Sequence, residues 1–207
     1  MTLPYRLCQL AFRALAPLIY RERRIRGLEN LPLTGPAIFV SNHISYWDPA
    51  TLVTFVPRQV YFMSRNNMFG VPVLGTVFRA LDVFGVERGT ADIGAIRQAL
   101  AILERGDPVA LYPQGSRTPL PSGQVHQAKG GALLIAQRSR APIVPVAISG
   151  LETLFLARFP WLGRPAIDVT FGRPFFLDEL GESADDRNAL LRSMMRRVTD
   201  LLPNHES

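Results

Sequence analysis

Short, uninterrupted apolar runs recur along this chain and constrain its fold more than any other feature. Segments with helical spacing separate these runs. In residues 90–106, for example, Ile93, Ile96, Leu100 and Leu103 repeat every three or four positions before Gly106. The strand-like runs cover residues 37–41, 60–64, 82–88, 108–113, 142–149 and 166–175. The helical segments cover residues 49–56, 90–106, 128–139 and 184–202. A strand that is apolar throughout needs cover on both faces, so the sequence predicts an α/β fold with a mixed, mostly parallel sheet covered by helices.

Length and composition indicate a single domain. The chain has 207 residues, of which 47% are hydrophobic, so it can bury a substantial core and does not resemble a disordered segment. Cys8 is the only cysteine, which excludes a disulfide framework and a four-cysteine zinc site.

The positive charge is concentrated at the amino-terminal end. The net charge is +6, and residues 1–27 hold six arginines against one acid, Glu22, so this segment accounts for most of it. The arginines are at positions 6, 13, 21, 23, 24 and 26. Such a basic segment fits a polyanionic surface, either nucleic acid or a membrane.

The apolar residues of the same segment favour the membrane over nucleic acid. On a helical wheel one side carries Leu3, Leu7, Leu10, Ala14, Leu15 and Leu18, and the other carries Arg6, Gln9 and Arg13. This pattern is typical of a helix that lies in the headgroup region, and no charge-free run reaches the ~18 residues of a membrane span. The alternative is a helix packed on the protein's own core. We expect residues 1–27 to be a membrane-binding arm and residues 28–207 to be the main domain.

A histidine and an aspartate follow the first apolar run. In the sequence NHISYWDP, His43 and Asp48 are five residues apart, so they cannot share a face of one helix. Pro49 favours a turn before it, and a turn could bring the carboxylate to the imidazole and make a general base. Two alternatives stay open at this point. Asp48 could cap the helix that begins at Pro49, and His43 could be a structural histidine.

A second cluster of candidate residues follows the apolar run that ends at residue 113. Gly115, Ser116 and Arg117 suit the approach of a ligand phosphate at a strand end. Lys129 is the only lysine, and it precedes two glycines at a predicted helix start, where anions are favoured. Arg88 ends another strand. The alternatives are an ordinary surface turn for the loop, chance for the position of Lys129, and an unremarkable strand-end charge for Arg88.

Together these blocks resemble the glycerolipid acyltransferases typified by lysophosphatidic acid acyltransferase. That family's blocks are N-H-x4-D, a strand ending roughly in IFIDR, FPEGTRS, a lysine–glycine pair and VPVAI. This chain carries Asn42-His43 with Asp48, FGVER with Arg88, YPQGSRT at 112–118, Lys129-Gly130 and VPVAI at 144–148, in the same order.

The resemblance implies a mechanism and a set of roles. His43 would be the general base, Asp48 would orient it, and Arg88, Arg117 and Lys129 would hold the acceptor phosphate. The loop Gln114, Gly115 and Ser116 would bind substrate. The acceptor would be a lysophospholipid and the donor an acyl carrier protein or coenzyme A thioester, with no cofactor, no metal and no nucleic acid. The protein would lie on the cytoplasmic face of the inner membrane, peripheral or monotopic.

The sequence also departs from that family pattern. Gln114 stands where the pattern has glutamate, which keeps other acceptors open: glycerol 3-phosphate, another lysophospholipid or a lyso-amino-acid lipid. A catalytically silent lipid-binding protein of the same fold is the alternative from another class.

Overall fold

The chain forms a three-layer α/β/α sandwich. The computed structural model describes residues 1–65, 69–70, 74–86, 93–115, 128–152, 164–183 and 185–203. The strands are β1 (Glu22–Arg26), β2 (Ala37–Ser41), β3 (Tyr61–Arg65), β4 (Phe84–Val86), β5 (Pro108–Leu111), β6 (Ile143–Ser149) and β7 (Ala166–Phe171). The helices are α1 (Leu3–Ile19), α2 (Asp48–Phe55), α3 (Leu74–Ala80), α4 (Ile93–Glu104), α5 (Gly130–Ser139) and α6 (Arg187–Thr199).

The strands form one mixed sheet in the order β1-β7-β6-β2-β5-β3-β4. All neighbouring pairs are parallel except β6 and β7, which are antiparallel. The predicted α/β class with a mostly parallel sheet is therefore confirmed. Strands β2, β5 and β6 lie at the centre and every residue in them is buried, as their solid apolar runs predicted.

The alternating direction of side chains along each strand divides the core between the two faces of the sheet. In β2, Phe39 packs with Tyr5 and Leu52 from α1 and α2 on one face. Its neighbours Ile38 and Val40 pack on the other face with α4, α5 and α6. Ile93, which the helical stripe of α4 was expected to bury, is 60% exposed because it is the first residue of the helix.

Strand β1 was not predicted, because four of its five residues are charged. It forms the sheet edge and pairs only with β7 among the described strands, with Glu22 opposite Ala166 and Arg26 opposite Thr170. An edge strand tolerates charged side chains on both faces, and four of these five residues are exposed. Residues 22–26 of the predicted arm are thus part of the sheet.

Helix α1 packs on the protein through a mostly apolar face, on which Tyr5, Ala16 and Ile19 are buried beside Gln9. Gln9 is buried and its amide donates to the carbonyls of Val53 and Val56 at the end of α2. Arg13 donates to the carbonyl of Thr54. The side chains therefore satisfy carbonyls that the end of a helix leaves without partners. The leucine side of the wheel faces outward. The exposed fraction is 70% for Leu3, 58% for Leu7, 52% for Leu10, 45% for Leu15 and 69% for Leu18.

Candidate active site

The site lies where β2 and β5, two adjacent parallel strands, end. His43 follows β2 after Asn42, and Tyr112 to Gly115 follow β5. Parallel neighbours present their carboxyl ends at one edge of a sheet, which brings these two loops together.

Asn42 fixes the end of β2 against β6. Its Nδ2 donates to the carbonyl of Ile148 at 2.7 Å, and its Oδ1 accepts from the N–H of the same residue at 2.8 Å. The side chain is buried, and its amide makes the two hydrogen bonds that a backbone amide of a neighbouring strand would make. Nothing near Asn42 in the sequence indicates this role, because it depends on a strand more than a hundred residues away.

The turn after β2 brings Asp48 onto His43. His43 Nδ1 lies 2.6 Å from Asp48 Oδ2, which also accepts from the N–H groups of Ile44 at 2.8 Å and Ser45 at 3.0 Å. Asp48 is the first residue of α2, one position earlier than expected, and its carboxylate reaches back into the turn. The alternative of a helix cap at Asp48 is therefore wrong, since α2 has no side-chain cap.

The position of Asp48 determines which nitrogen of the His43 ring carries the proton. The Asp48 side chain is fully buried, whereas that of His43 is 15% exposed. The carboxylate accepts a hydrogen bond from Nδ1–H, so the basic lone pair of the neutral ring lies on Nε2. Such a pair can take a proton from a hydroxyl and return it to a leaving group.

Two residues after β5 complete the surroundings of His43. The Tyr112 ring stacks on the imidazole, with ring centroids 4.3 Å apart and planes inclined by 25°. Gln114 is buried, and its Oε1 accepts from the backbone N–H of His43 at 2.6 Å. Burial, and after it the charge of Asp48, raises the pKa of Tyr112 well above its usual value, so this phenol is neutral. The sequence pattern had placed Gln114 in the substrate loop but had assigned nothing to Tyr112.

Lys129 lies beside the same loop. Gly115 has φ +64°, and a Cβ built on it would lie 2.5 Å from Lys129 Cε, so the lysine stem passes directly over this glycine. Lys129 precedes the first residue of α5, and its N–H donates to the carbonyl of Pro113. Arg88, Ser116 and Arg117 lie outside the described residues.

Neither a metal cluster nor a membrane-spanning helix occurs in the described part of the chain. Its residues include no group of three histidine, cysteine, aspartate or glutamate side chains that could hold a metal ion. No helix within those ranges is both long and apolar enough to cross a membrane.

The sequence model of the Acyltransferase family matches residues 22–149, more than half of the chain, and the chain belongs to that family.

Its relatives include enzymes named 1-acyl-sn-glycerol-3-phosphate acyltransferase. The chloroplastic one of Brassica napus is 30% identical over 61% of this chain and 37% of its own length. The one of Bacillus subtilis is 28% identical over 70% of this chain and 71% of its own length. The match thus spans little more than a third of the plant relative.

A solved structure has the same fold. The crystal structure of the 1-acyl-sn-glycerophosphate acyltransferase from Thermotoga maritima superimposes with a TM-score of 0.69 at 22% identity. The superposition covers 95% of this chain and 79% of that one.

Proposed function

We propose that this protein transfers a fatty acyl group from an acyl thioester to the free sn-2 hydroxyl of 1-acylglycerol 3-phosphate. The product would be phosphatidic acid. The observation that carries the proposal is the 2.6 Å contact between His43 Nδ1 and the buried Asp48, in a chain of the Acyltransferase family. The names of the relatives support the choice of acceptor.

The proposed mechanism is direct transfer with His43 as general base. Nε2 takes the proton of the acceptor hydroxyl as its oxygen attacks the thioester carbonyl. Asp48 stabilises the imidazolium that forms, because its charge lies next to Nδ1. The tetrahedral intermediate then collapses, the carbon–sulfur bond breaks, and the imidazolium returns the proton to the departing thiolate. The ester and a free thiol result, so atoms and charge balance.

The phosphate of the acceptor would be held by cationic side chains. Lys129 lies over Gly115, close to the His43 loop, at the start of α5, where backbone N–H groups also favour an anion. Arg88 and Arg117 are proposed for the same phosphate on the sequence pattern alone. The donor, acyl carrier protein or coenzyme A, would supply the thioester from the cytosol.

Acyl transfer by the wild-type protein and by His43→Ala tests this proposal. We expect labelled acyl groups to move to 1-acylglycerol 3-phosphate, and the variant to lose at least about 10³-fold in kcat. Glycerol 3-phosphate and a lysophospholipid with a larger headgroup serve as competing acceptors, since Gln114 departs from the family pattern. Transfer to one of these acceptors alone would show that 1-acylglycerol 3-phosphate is not the acceptor. Binding of lipid without any transfer would indicate a catalytically silent protein.

The leucine face of α1 is the proposed membrane contact. Five leucines on this helix are exposed, and Arg21, Arg23 and Arg24 are exposed at the adjoining sheet edge. Apolar side chains flanked by cations suit the surface of a membrane that contains anionic lipids. We propose peripheral or monotopic attachment to the cytoplasmic face of the inner membrane, where acyl donors are found. Residues 1–27 would form the attachment region and residues 28–207 the catalytic domain.

Co-sedimentation with vesicles tests the membrane contact. Replacing Leu7 and Leu10 by glutamate should reduce binding to phosphatidylglycerol-containing vesicles by at least about tenfold, because both side chains leave the bilayer. The matched control replaces Leu28 and Leu33 by glutamate, since these leucines are 46% and 69% exposed but are not on α1. Equal loss in the control, or none in the α1 variant, would contradict this contact.

A further inference from the structure

Three residues contact His43, and each of them also has a buried polar atom that makes no hydrogen bond. Asp48 holds the ring nitrogen through Oδ2, Tyr112 stacks on the ring, and Gln114 accepts the backbone N–H through Oε1. The remaining atoms are Asp48 Oδ1, the Tyr112 hydroxyl and Gln114 Nε2. All three are buried and have no hydrogen-bond partner.

This concentration is unusual within the described part of the chain. Four buried side-chain atoms there lack a hydrogen bond, and three of them belong to these neighbours of His43. The fourth, Asp168 Oδ1, lies 3.2 Å from the guanidinium of Arg26 in an ion pair. Buried polar groups without hydrogen bonds are costly and rare, and a buried water molecule commonly satisfies several of them together.

The three atoms are complementary as donors and acceptors. The carboxylate oxygen of Asp48 can only accept. The backbone N–H of His43 requires an acceptor, which fixes Oε1 of Gln114 in that place and leaves Nε2 as a donor. The Tyr112 hydroxyl can do both, and its phenol lies within the field of the Asp48 charge. These roles are the ones that a hydrogen-bond chain from the amide through the hydroxyl to the carboxylate requires.

We propose that Tyr112 and Gln114 are positioning residues that join Asp48 Oδ1 in one hydrogen-bond network, closed by a buried water molecule. Hydrogen bonds donated to Oδ1 draw charge away from the oxygen that faces the imidazole. The network thus limits how strongly Asp48 favours the protonated ring. The proposal deepens the proposed function, because it concerns the basicity of the same His43.

Tyr112 and Gln114 both differ from the family pattern. In the family pattern FPEGTRS, phenylalanine stands at the position of Tyr112 and glutamate at that of Gln114. A phenylalanine offers no hydroxyl, and a glutamate would place an acceptor where the amide donates. Of the four positions at which YPQGSRT differs from FPEGTRS, these two contact His43, which is why we assign them to one network.

The test is a pH titration of His43 in Tyr112→Phe, in Gln114→Glu and in the double variant. The titration is monitored by NMR of isotope-labelled imidazoles. The chain has only three histidines, so assignment by substitution is simple. Tyr112→Phe retains the ring stack and removes only the hydroxyl. Gln114→Glu retains the acceptor for the His43 N–H but replaces the amide donor by an acceptor and adds a negative charge, so its own midpoint is the reference for the double variant. The control is Tyr20→Phe, since Tyr20 is also buried and its hydroxyl bonds to Thr51 rather than to the cluster.

We expect Tyr112→Phe to move the His43 titration midpoint to higher pH by about half a pH unit, with no shift in the control. The acidic limb of kcat should move in the same direction with KM unchanged. The other titratable groups near His43 belong to Asp48 on α2, Lys129 before α5 and Tyr46 in the same turn. The phenol of Tyr20 also lies in the field of Asp48, and the control variant removes it.

The double variant decides whether the two residues act together. Tyr112→Phe is introduced into the wild-type protein and into Gln114→Glu, and the shift of the His43 midpoint is measured in each. If the two residues share a network, the two shifts differ by more than the measurement error. Additive shifts, or a Tyr112→Phe midpoint equal to that of the control, would overturn the proposal. The titration needs no substrate, so a shifted midpoint in a protein without transferase activity would refute the proposed function and leave the network standing.

Discussion

At the scale of single residues, the chain supplies the His43–Asp48 pair locally and its surroundings from far away. The five-residue spacing and Pro49 predicted a turn that could bring imidazole and carboxylate together. The stacking of Tyr112 and the hydrogen bond to Gln114 depend on the pairing of β2 with β5. A single sequence shows spacing within a segment but not which strand ends meet, so these contacts could not be predicted.

Replacing Asp48 by asparagine separates charge from geometry. The N–H groups of Ile44 and Ser45 require an acceptor, so the amide oxygen should take the place of Oδ2 and keep the turn. We expect kcat to fall about 10²-fold through loss of the charge that stabilises the imidazolium, with the melting temperature little changed. Asp107→Asn, on a surface ion pair with Arg105, is the control. Wild-type kcat in Asp48→Asn would argue against the assigned role.

Asn42→Ala should destabilise the protein without a direct effect on the base. The substitution leaves both backbone groups of buried Ile148 without partners, at a cost of about 2–4 kcal/mol in the free energy of unfolding. Urea titration measures this. Asn30→Ala, which removes one partly buried bond to the Phe171 carbonyl, should cost less than half as much. Equal costs would contradict the role of Asn42 as a clamp between β2 and β6.

At the scale of elements, apolar runs predicted the central strands well and the edges poorly. Strands β2, β5 and β6 are buried on both faces and could be recognised from composition alone. Strand β1 has the sequence ERRIR and forms through backbone pairing with β7, which its side chains do not indicate. The amphipathicity of α1 was also visible, but the sequence does not say which side faces the protein.

Gln9→Leu tests the polar contact between the packed face of α1 and the end of α2. The substitution leaves the carbonyls of Val53 and Val56 at the end of α2 without their donor, although a leucine side chain fits an interior. We expect a loss of about 2 kcal/mol in the free energy of unfolding, measured by denaturant titration. Gln98→Leu on the exposed side of α4 should change it by less than about 0.5 kcal/mol. A stabilised Gln9→Leu protein would show that α1 packs in another orientation.

At the scale of the whole molecule, burial of tyrosines links stability to alkaline pH. Burial is the largest cause that raises the pKa of Tyr5, Tyr20 and Tyr112. Above the ordinary tyrosine pKa of ~10 the unfolded chain loses these protons before the folded one does. Above this pH the folded state binds more protons than the unfolded state does. The contribution of these tyrosines to the free energy of unfolding is therefore fully present below pH ~10 and is lost as the pH rises further.

An unfolding series from about pH 8 to about pH 11.5 checks this dependence. The free energy of unfolding should fall with increasing slope above pH ~10, together with the absorbance change of tyrosinate. Tyr20→Phe should flatten the slope, because its hydroxyl bonds only to Thr51 among the described contacts and its ionisation is removed. A stability that stays constant across the whole series would contradict the buried, neutral state of these phenols.

The pairing of β1 with β7 has a consequence for biosynthesis. Glu22 lies beside Ala166 in the finished sheet, so about 140 residues must be made after β1 before its partner exists. At elongation rates of about 5–20 residues per second this corresponds to a delay of roughly 7–28 s, during which the first strand has no neighbour. The leucine face of α1 leaves the ribosome at the start of that interval. Its first encounter can therefore be with a lipid surface or a chaperone, well before the edge of its own sheet is available.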